Sequence, residues 1–107
     1  MTTRATSKSR ARKQLENIYG GSLSLGALIA SIRKGEGWSL AEMAKRLKVT
    51  RAHIAAIEHG KPVAPQTAAK YAKVLGDSQE QFVRLSLQDA VHRARLPYKV
   101  EVSLPAE

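Results

Sequence analysis

Apolar residues recur at helical spacing through the middle of the chain. The spacing i, i+3, i+4, i+7 occurs twice, at Leu25, Leu28, Ile29 and Ile32 and again at Leu40, Met43, Ala44 and Leu47. This spacing places four side chains on one face of an amphipathic helix. Two further helices are predicted, from Arg51 to about His59 and from Pro65 to Leu75. The pattern therefore predicts four helices between residues 24 and 76.

Polar residues mark where these helices begin. Ser24, Ser39 and Thr50 each precede an apolar stripe, and a hydroxyl there can accept from an orphan backbone N–H. Ser39 and Glu42 have the spacing of a capping box. Pro65 is acceptable as a first helical residue, although Ala64 before it offers no capping side chain.

The last 31 residues show two different patterns. A fifth helix is predicted from about Ser78 to Ala94, capped by Asp77 or Ser78, with apolar residues on two stripes. That face is too wide for packing on one small bundle. The segment "LPYKVEVSL" then alternates apolar and polar residues, which predicts a strand that needs a partner. We expect dimer or partner contacts at Val83, Leu87, Val91, Tyr98, Val100 and Val102.

Charge separates the chain into three parts. Residues 1–23 form a basic arm of net charge +4, which could include a short helix at residues 11–19. Residues 24–76 carry +6, and residues 77–107 carry −1. Nucleic acid is the preferred anionic partner, because the arm lacks the large apolar residues of a membrane-lying helix. The predicted domains are the arm, a binding domain at 24–76, and a dimerisation or partner-binding part at 77–107.

Composition excludes several other classes. With 43 % apolar and 25 % charged residues, the chain can bury a core. It has no cysteine, no apolar run of membrane length and no apolar stretch of a secretory signal, so a cytoplasmic location without membrane partner is expected. We expect no cofactor, no catalytic site and no metal site. His53 and His59 are six residues apart, the wrong spacing for two ligands on one helical face.

The second and third helices, joined by the short connection Lys48-Val49, have the layout of a helix-turn-helix. Residues 25–76, including "VTRAHIAAIEHG", resemble the Cro/repressor-type (XRE family) DNA-binding domain along their whole length. The resemblance implies a mainly α, lambda-repressor-like five-helix bundle, to which the predicted C-terminal strand would be added for dimerisation. Where the family usually has glycine in the turn, this chain has Lys48, which would be strained if its backbone is left-handed.

The resemblance makes the helix from Arg51 the recognition helix in the major groove. Its opening residues, Thr50 and Arg51, would then face base edges, where an arginine can donate two bonds to guanine. Ala52, Ala55 and Ala56 lie on the outward face and can offer only methyl contacts, for example to thymine. Arg51 is therefore the predicted main reader, although a helix-start arginine is also an ordinary surface residue.

Contacts to the DNA backbone are predicted from the edges of the same motif. The helix N-terminus at Ser39 attracts phosphate, and Lys48 could add a phosphate contact. His53, His59 and Lys61 are expected along the phosphate rim.

An ion pair is implied by the resemblance alone. In the family, an arginine near the end of the first helix pairs with a glutamate near the end of the recognition helix. Arg33 and Glu58 stand at the matching positions.

Three functional hypotheses follow. The first is a sequence-specific transcriptional regulator, a repressor in the pattern of the family, that binds a palindromic operator as a dimer. The second is an antitoxin that neutralises a toxin protein and represses its own operon. The third is a nucleoid-type or RNA-binding protein that acts through charge alone.

Overall fold

A computed structural model describes residues 23–106, and this part of the chain is mainly helical. Five helices follow one another: α1 (Leu25–Glu36), α2 (Leu40–Leu47), α3 (Arg51–Glu58), α4 (Pro65–Leu75) and α5 (Gln79–Arg93). They form two compact units, one ending at Lys61 and the other beginning at Pro62. The basic arm and the short helix predicted at 11–19 lie outside the described residues. The predicted domain boundary after residue 76 stays a prediction.

The first unit packs α1 and α2 against α3. The apolar stripes predicted from the sequence form its interior, which consists of Leu23, Leu25, Leu28, Ile29, Ile32, Met43, Ala44, Leu47, Ile54 and Ile57. Ser24 Oγ accepts a hydrogen bond from the backbone N–H of Ala27 at 3.0 Å, which caps α1. Gly37 ends that helix in the left-handed region at φ 76°, a conformation that glycine adopts without steric cost.

Gly26 sets the distance between α1 and α3. It is buried in the first turn of α1, directly beside the backbone of Ile57 and Glu58 near the end of α3. A Cβ atom at position 26 would overlap the carbonyl oxygen of Ile57. The two helices can therefore approach this closely only because residue 26 has no side chain.

The second unit packs α4 against α5. Its interior is formed by Ala68, Tyr71, Ala72, Leu75, Phe82 and Leu85. Ala64 precedes α4 without a side-chain cap, and Pro65 occupies the first turn. Ser78 caps α5 by accepting from the N–H of Gln81 at 3.1 Å.

The predicted C-terminal strand is wrong, because the described residues contain no strand. After α5 the chain reverses through Arg95, at a left-handed φ of 58°. Residues 97–106, the C-terminal segment, then have no regular secondary structure. Gln88, a buried residue of α5, donates from Nε2 to the carbonyl of Tyr98 at 2.9 Å and accepts at Oε1 from the N–H of Val100 at 2.7 Å.

A neighbouring parallel strand would make two such bonds, one to the carbonyl of residue 98 and one from the N–H of residue 100. Here the Gln88 side chain makes both. The Gln88 side chain thus satisfies two backbone groups for which the sequence pattern predicted another strand as partner. The apolar alternation survives in part: Val100 and Val102 are half-buried, whereas Tyr98 and Leu104 are exposed.

The C-terminal segment also accounts for part of the wide apolar face of α5. Val102 and Leu104 line a cavity of about 260 Å³ together with Val83 of α5 and Ala69 of α4. Val83, like Leu87 and Val91, is half-buried. One stripe of α5 therefore forms core through Phe82 and Leu85, and residues 23–106 leave the second stripe half-buried.

Candidate nucleic-acid interface

Both ends of α2 are capped, and its C-cap is followed by only a short turn before α3. Ser39 Oγ accepts from the N–H of Glu42 at 3.1 Å, and Glu42 Oε1 accepts from the N–H of Ser39 at 2.9 Å. The hydrogen bond from the Ser39 backbone N–H, followed by one from the Ser39 side chain, lowers the pKa of the Glu42 carboxyl, because both stabilise its charged form. At the other end, Lys48 adopts a left-handed backbone at φ 58° and ψ 45°. The exposed Lys48 side chain stands where glycine would be unstrained, at a cost of about 1 kcal/mol.

Thr50 begins α3 immediately after the turn. Its Oγ1 accepts from the N–H of His53 at 3.0 Å, and its own side chain is exposed. Arg51 and Ala52, the first two residues of the helix, are also exposed. Ala55 and Ala56, one turn further, are half-buried. The predicted base-reading residues therefore differ in accessibility, and Arg51 is the long polar side chain among them.

The opposite face of α3 is anchored in the first unit. Ile54 and Ile57 are completely buried, and Glu58 forms a bidentate ion pair with Arg33 of α1. Arg33 Nε donates to Glu58 Oε2 at 2.7 Å, and Arg33 Nη2 donates to Oε1 at 3.1 Å. The side chains of this pair are only 14 % and 10 % exposed. The hydrogen bond to Glu58 raises the pKa of Arg33, burial opposes this, and the charge of Glu58 reinforces it.

The guanidinium of Arg33 also fixes the segment before α2. Arg33 Nη1 donates to the carbonyl oxygen of Trp38 at 3.0 Å. One side chain of α1 thus holds both the entry to α2 and the end of α3. Because these contacts are directional, they limit how far α3 can rotate relative to α1 and α2.

Trp38 makes a second contact that sequence reasoning missed. The guanidinium carbon of Arg46, in the last turn of α2, lies 3.9 Å from the centroid of the Trp38 ring. This is a cation–π arrangement, and it spans α2 from its entry to its end. The single tryptophan of the chain, placed just before a capping serine, was the available signal.

The residues predicted to contact the DNA backbone fall into two groups. His53, His59 and Lys61 lie along or just after α3, and Lys61 Nζ is 3.2 Å from His53 Nδ1. His59 instead directs Nδ1 to the carbonyl oxygen of Ala55 at 2.8 Å. Ser39 and Lys48 belong to the two ends of α2, and both are exposed. Contact with the DNA backbone stays a prediction for these residues.

Five exposed cations of the first unit belong to α2, to α3, or to the segments that follow these helices. The residues are Lys45, Arg46, Lys48, Arg51 and Lys61. Among residues 23–106, no group of three or more potential metal ligands is assembled. No helix of this same stretch is long and apolar enough to span a membrane. The positive charge and hydrogen-bond donors of these exposed cations suit a polyanion.

Two short helices joined by a tight turn, the second exposing an arginine at its first residue, define a helix-turn-helix DNA-binding domain. Residues 29–81, about half of the chain, match a family model described as helix-turn-helix. The chain is a helix-turn-helix protein of the Cro/XRE type, a family of DNA-binding regulators. Comparisons with curated proteins and with solved structures gave no significant match.

Proposed function

We propose that this protein is a sequence-specific transcriptional repressor of the cytoplasm that binds a palindromic operator as a dimer. The observation that carries the proposal is the position of Arg51, exposed at the start of a helix whose other end is held by the Arg33–Glu58 ion pair. An arginine so placed can donate two hydrogen bonds to O6 and N7 of one guanine. The three alanines of α3 add methyl contacts and leave sequence-dependent DNA shape to contribute to recognition.

The test begins with duplexes selected by the full chain from a random 30-base-pair library. Arg51→Ala should weaken binding to the selected duplex by about 5- to 150-fold and abolish the preference at one base pair, since a bidentate arginine contributes about 1–3 kcal/mol of discrimination. Lys73→Ala is the matched control, because Lys73 is an exposed cation of α4 outside the proposed interface. If Arg51→Ala kept full affinity and the same preferred sequence, the assignment of Arg51 would be wrong.

The dimer part of the proposal predicts symmetry in the selected DNA. Two recognition helices related by a two-fold axis read half-sites about 34–36 Å apart, or one helical turn. The half-buried Val83, Leu87 and Val91 of α5 are the proposed contact residues. Light scattering of the Leu87→Glu variant should show loss of the dimer. Selected sites without inverted repeats, or a monomer at the concentrations that saturate DNA, would contradict dimeric binding.

The antitoxin hypothesis remains the second candidate because of the apolar surface of the second unit. Val74, Leu96, Tyr98 and Leu104 are the exposed large apolar residues of the described chain, and all belong to this unit. A short adjacent reading frame whose product co-purifies with this chain would favour a toxin partner. In that case Tyr98→Ser should reduce co-purification while DNA affinity stays unchanged.

A further inference from the structure

The two histidines of the recognition region are held in different hydrogen-bonding states. A lysine ammonium has donors and no acceptor, so the contact between Lys61 Nζ and His53 Nδ1 requires Nδ1 to be the acceptor. The ring proton of neutral His53 must then be on Nε2. A backbone carbonyl can only accept, so the contact between His59 Nδ1 and Ala55 O requires the proton on Nδ1. Neutral His59 therefore presents an unprotonated Nε2.

We propose that Lys61 is a positioning residue that selects the Nε2–H tautomer of the His53 ring, so that Nε2 can donate a hydrogen bond to the DNA backbone. This inference rests on the proposed DNA-binding function. Phosphate oxygens accept hydrogen bonds, so an Nε2–H can contact them whereas an unprotonated Nε2 cannot. The location supports the role: His53 is in the first turn of α3, two residues after Arg51, and its backbone N–H is already bonded to Thr50.

The first experiment measures the tautomers without DNA. Long-range ¹H–¹⁵N correlation spectra of the uniformly labelled full chain distinguish protonated from unprotonated ring nitrogens. His→Gln variants at positions 53, 59 and 92 assign the three rings. At pH 8 we expect a proton on Nε2 in His53 and on Nδ1 in His59. The reverse pattern in His53 would overturn the proposal.

The role of Lys61 is tested by a conservative pair of variants. Lys61→Met removes the donor, so the His53 ring should become a mixture of tautomers. Lys61→Arg keeps a donor-only side chain and should restore the Nε2–H form. His59 serves as the internal control, since its ring is held by a backbone carbonyl and should not change in either variant. An unchanged His53 spectrum in Lys61→Met would refute the positioning role.

The second experiment separates this role from the charge of Lys61 itself. Affinity is measured on a 20-base-pair duplex of random sequence, because backbone contacts are sequence-independent. Lys61→Met should weaken binding about five- to tenfold in the wild-type background and clearly less when combined with His53→Leu. His53→Gln, whose amide can donate, should retain most of the affinity. An equal effect of Lys61→Met in both backgrounds would mean that Lys61 acts by charge alone.

The two experiments fail in different ways. If the chain bound no duplex, the proposed function would fall, and with it the DNA contact of His53. If the chain bound DNA but the spectra or the double-variant comparison disagreed, only the role of Lys61 would be overturned.

Discussion

Replacing Gly26 by alanine should loosen the attachment of the recognition helix. The new Cβ would overlap the carbonyl oxygen of Ile57, and it would lie 3.2 Å from Ile57 C and 3.3 Å from Glu58 Cα. These atoms are helix backbone, so they cannot rotate away as a flexible side chain would. The end of α3, which carries Glu58, would have to shift as a whole.

Two effects of opposite sign decide how much the Gly26→Ala substitution changes the free energy of unfolding. Alanine favours helix over glycine by up to about 1 kcal/mol. Forcing extra volume into a packed contact costs about 1–3 kcal/mol or more, and a backbone neighbour places this site at the upper end. We therefore expect a net loss of about 1–2 kcal/mol. At about 4–8 °C per kcal/mol for a domain of this size, the melting temperature should fall by roughly 5–15 °C.

Gly35→Ala is the matched control in the same helix. A Cβ at position 35 meets nothing within 4 Å, and the residue is exposed. The same substitution should therefore stabilise the protein by about 0.5–1 kcal/mol. Both variants are compared by thermal and urea unfolding followed by circular dichroism at 222 nm. If Gly26→Ala melted at or above the wild-type temperature, the close packing of α1 on α3 would not be the constraint described.

Four further predictions concern single contacts. Glu58→Ala should lower the free energy of unfolding by about 3 kcal/mol, because it leaves the half-buried Arg33 without its partner carboxylate. Arg33→Lys should cost less. Equal urea midpoints for Glu58→Ala and wild type would contradict this prediction. Lys48→Gly should raise stability by about 1 kcal/mol in the same assay, since Lys48 has a positive φ. Because the folded pKa of Glu42 is lowered, its stabilisation is present above its unfolded pKa of about 4.3 and lost as the pH falls through the folded pKa. The urea midpoints of wild type and Glu42→Gln should therefore differ at pH 7 and converge toward pH 2, and a constant difference would count against stabilisation by the charged carboxylate. Gln88→Leu removes both side-chain hydrogen bonds to the C-terminal segment and should make that segment sensitive to trypsin. The free energy of unfolding should fall by about 1–3 kcal/mol. Unchanged digestion would show that Gln88 does not hold the segment.

Local patterns were sufficient for the helices and their beginnings. Ser24, Ser39, Thr50 and Ser78 cap the helices that the apolar spacing predicted. A cap depends on a hydroxyl and a backbone N–H three residues later, so both partners are visible in a short stretch of sequence. The placement of Arg51 at the first residue of α3 follows from the same local rule.

Contacts between distant segments were harder to predict. The Arg33–Glu58 pair joins residues 25 positions apart, and only likeness to a known family indicated it. Gly26 and Trp38 gave no periodic signal, because their importance depends on which backbone or side chain lies opposite. The bond between Lys61 and His53 likewise depends on how the chain turns after α3.

The C-terminal segment shows most clearly what the local sequence pattern decides and what the tertiary structure decides. Alternating apolar residues at 98–104 predicted a strand, and this prediction was wrong, because alternation is a property of the local pattern alone. They could not determine what would satisfy the backbone groups of that segment. The tertiary structure decided this by placing the buried amide of Gln88 against residues 98 and 100. The sequence alone determined the helices, their caps and the charge of the binding unit. The spacing of the helices, the contact between Lys61 and His53 and the partner of the last segment depend on atoms far apart in the chain.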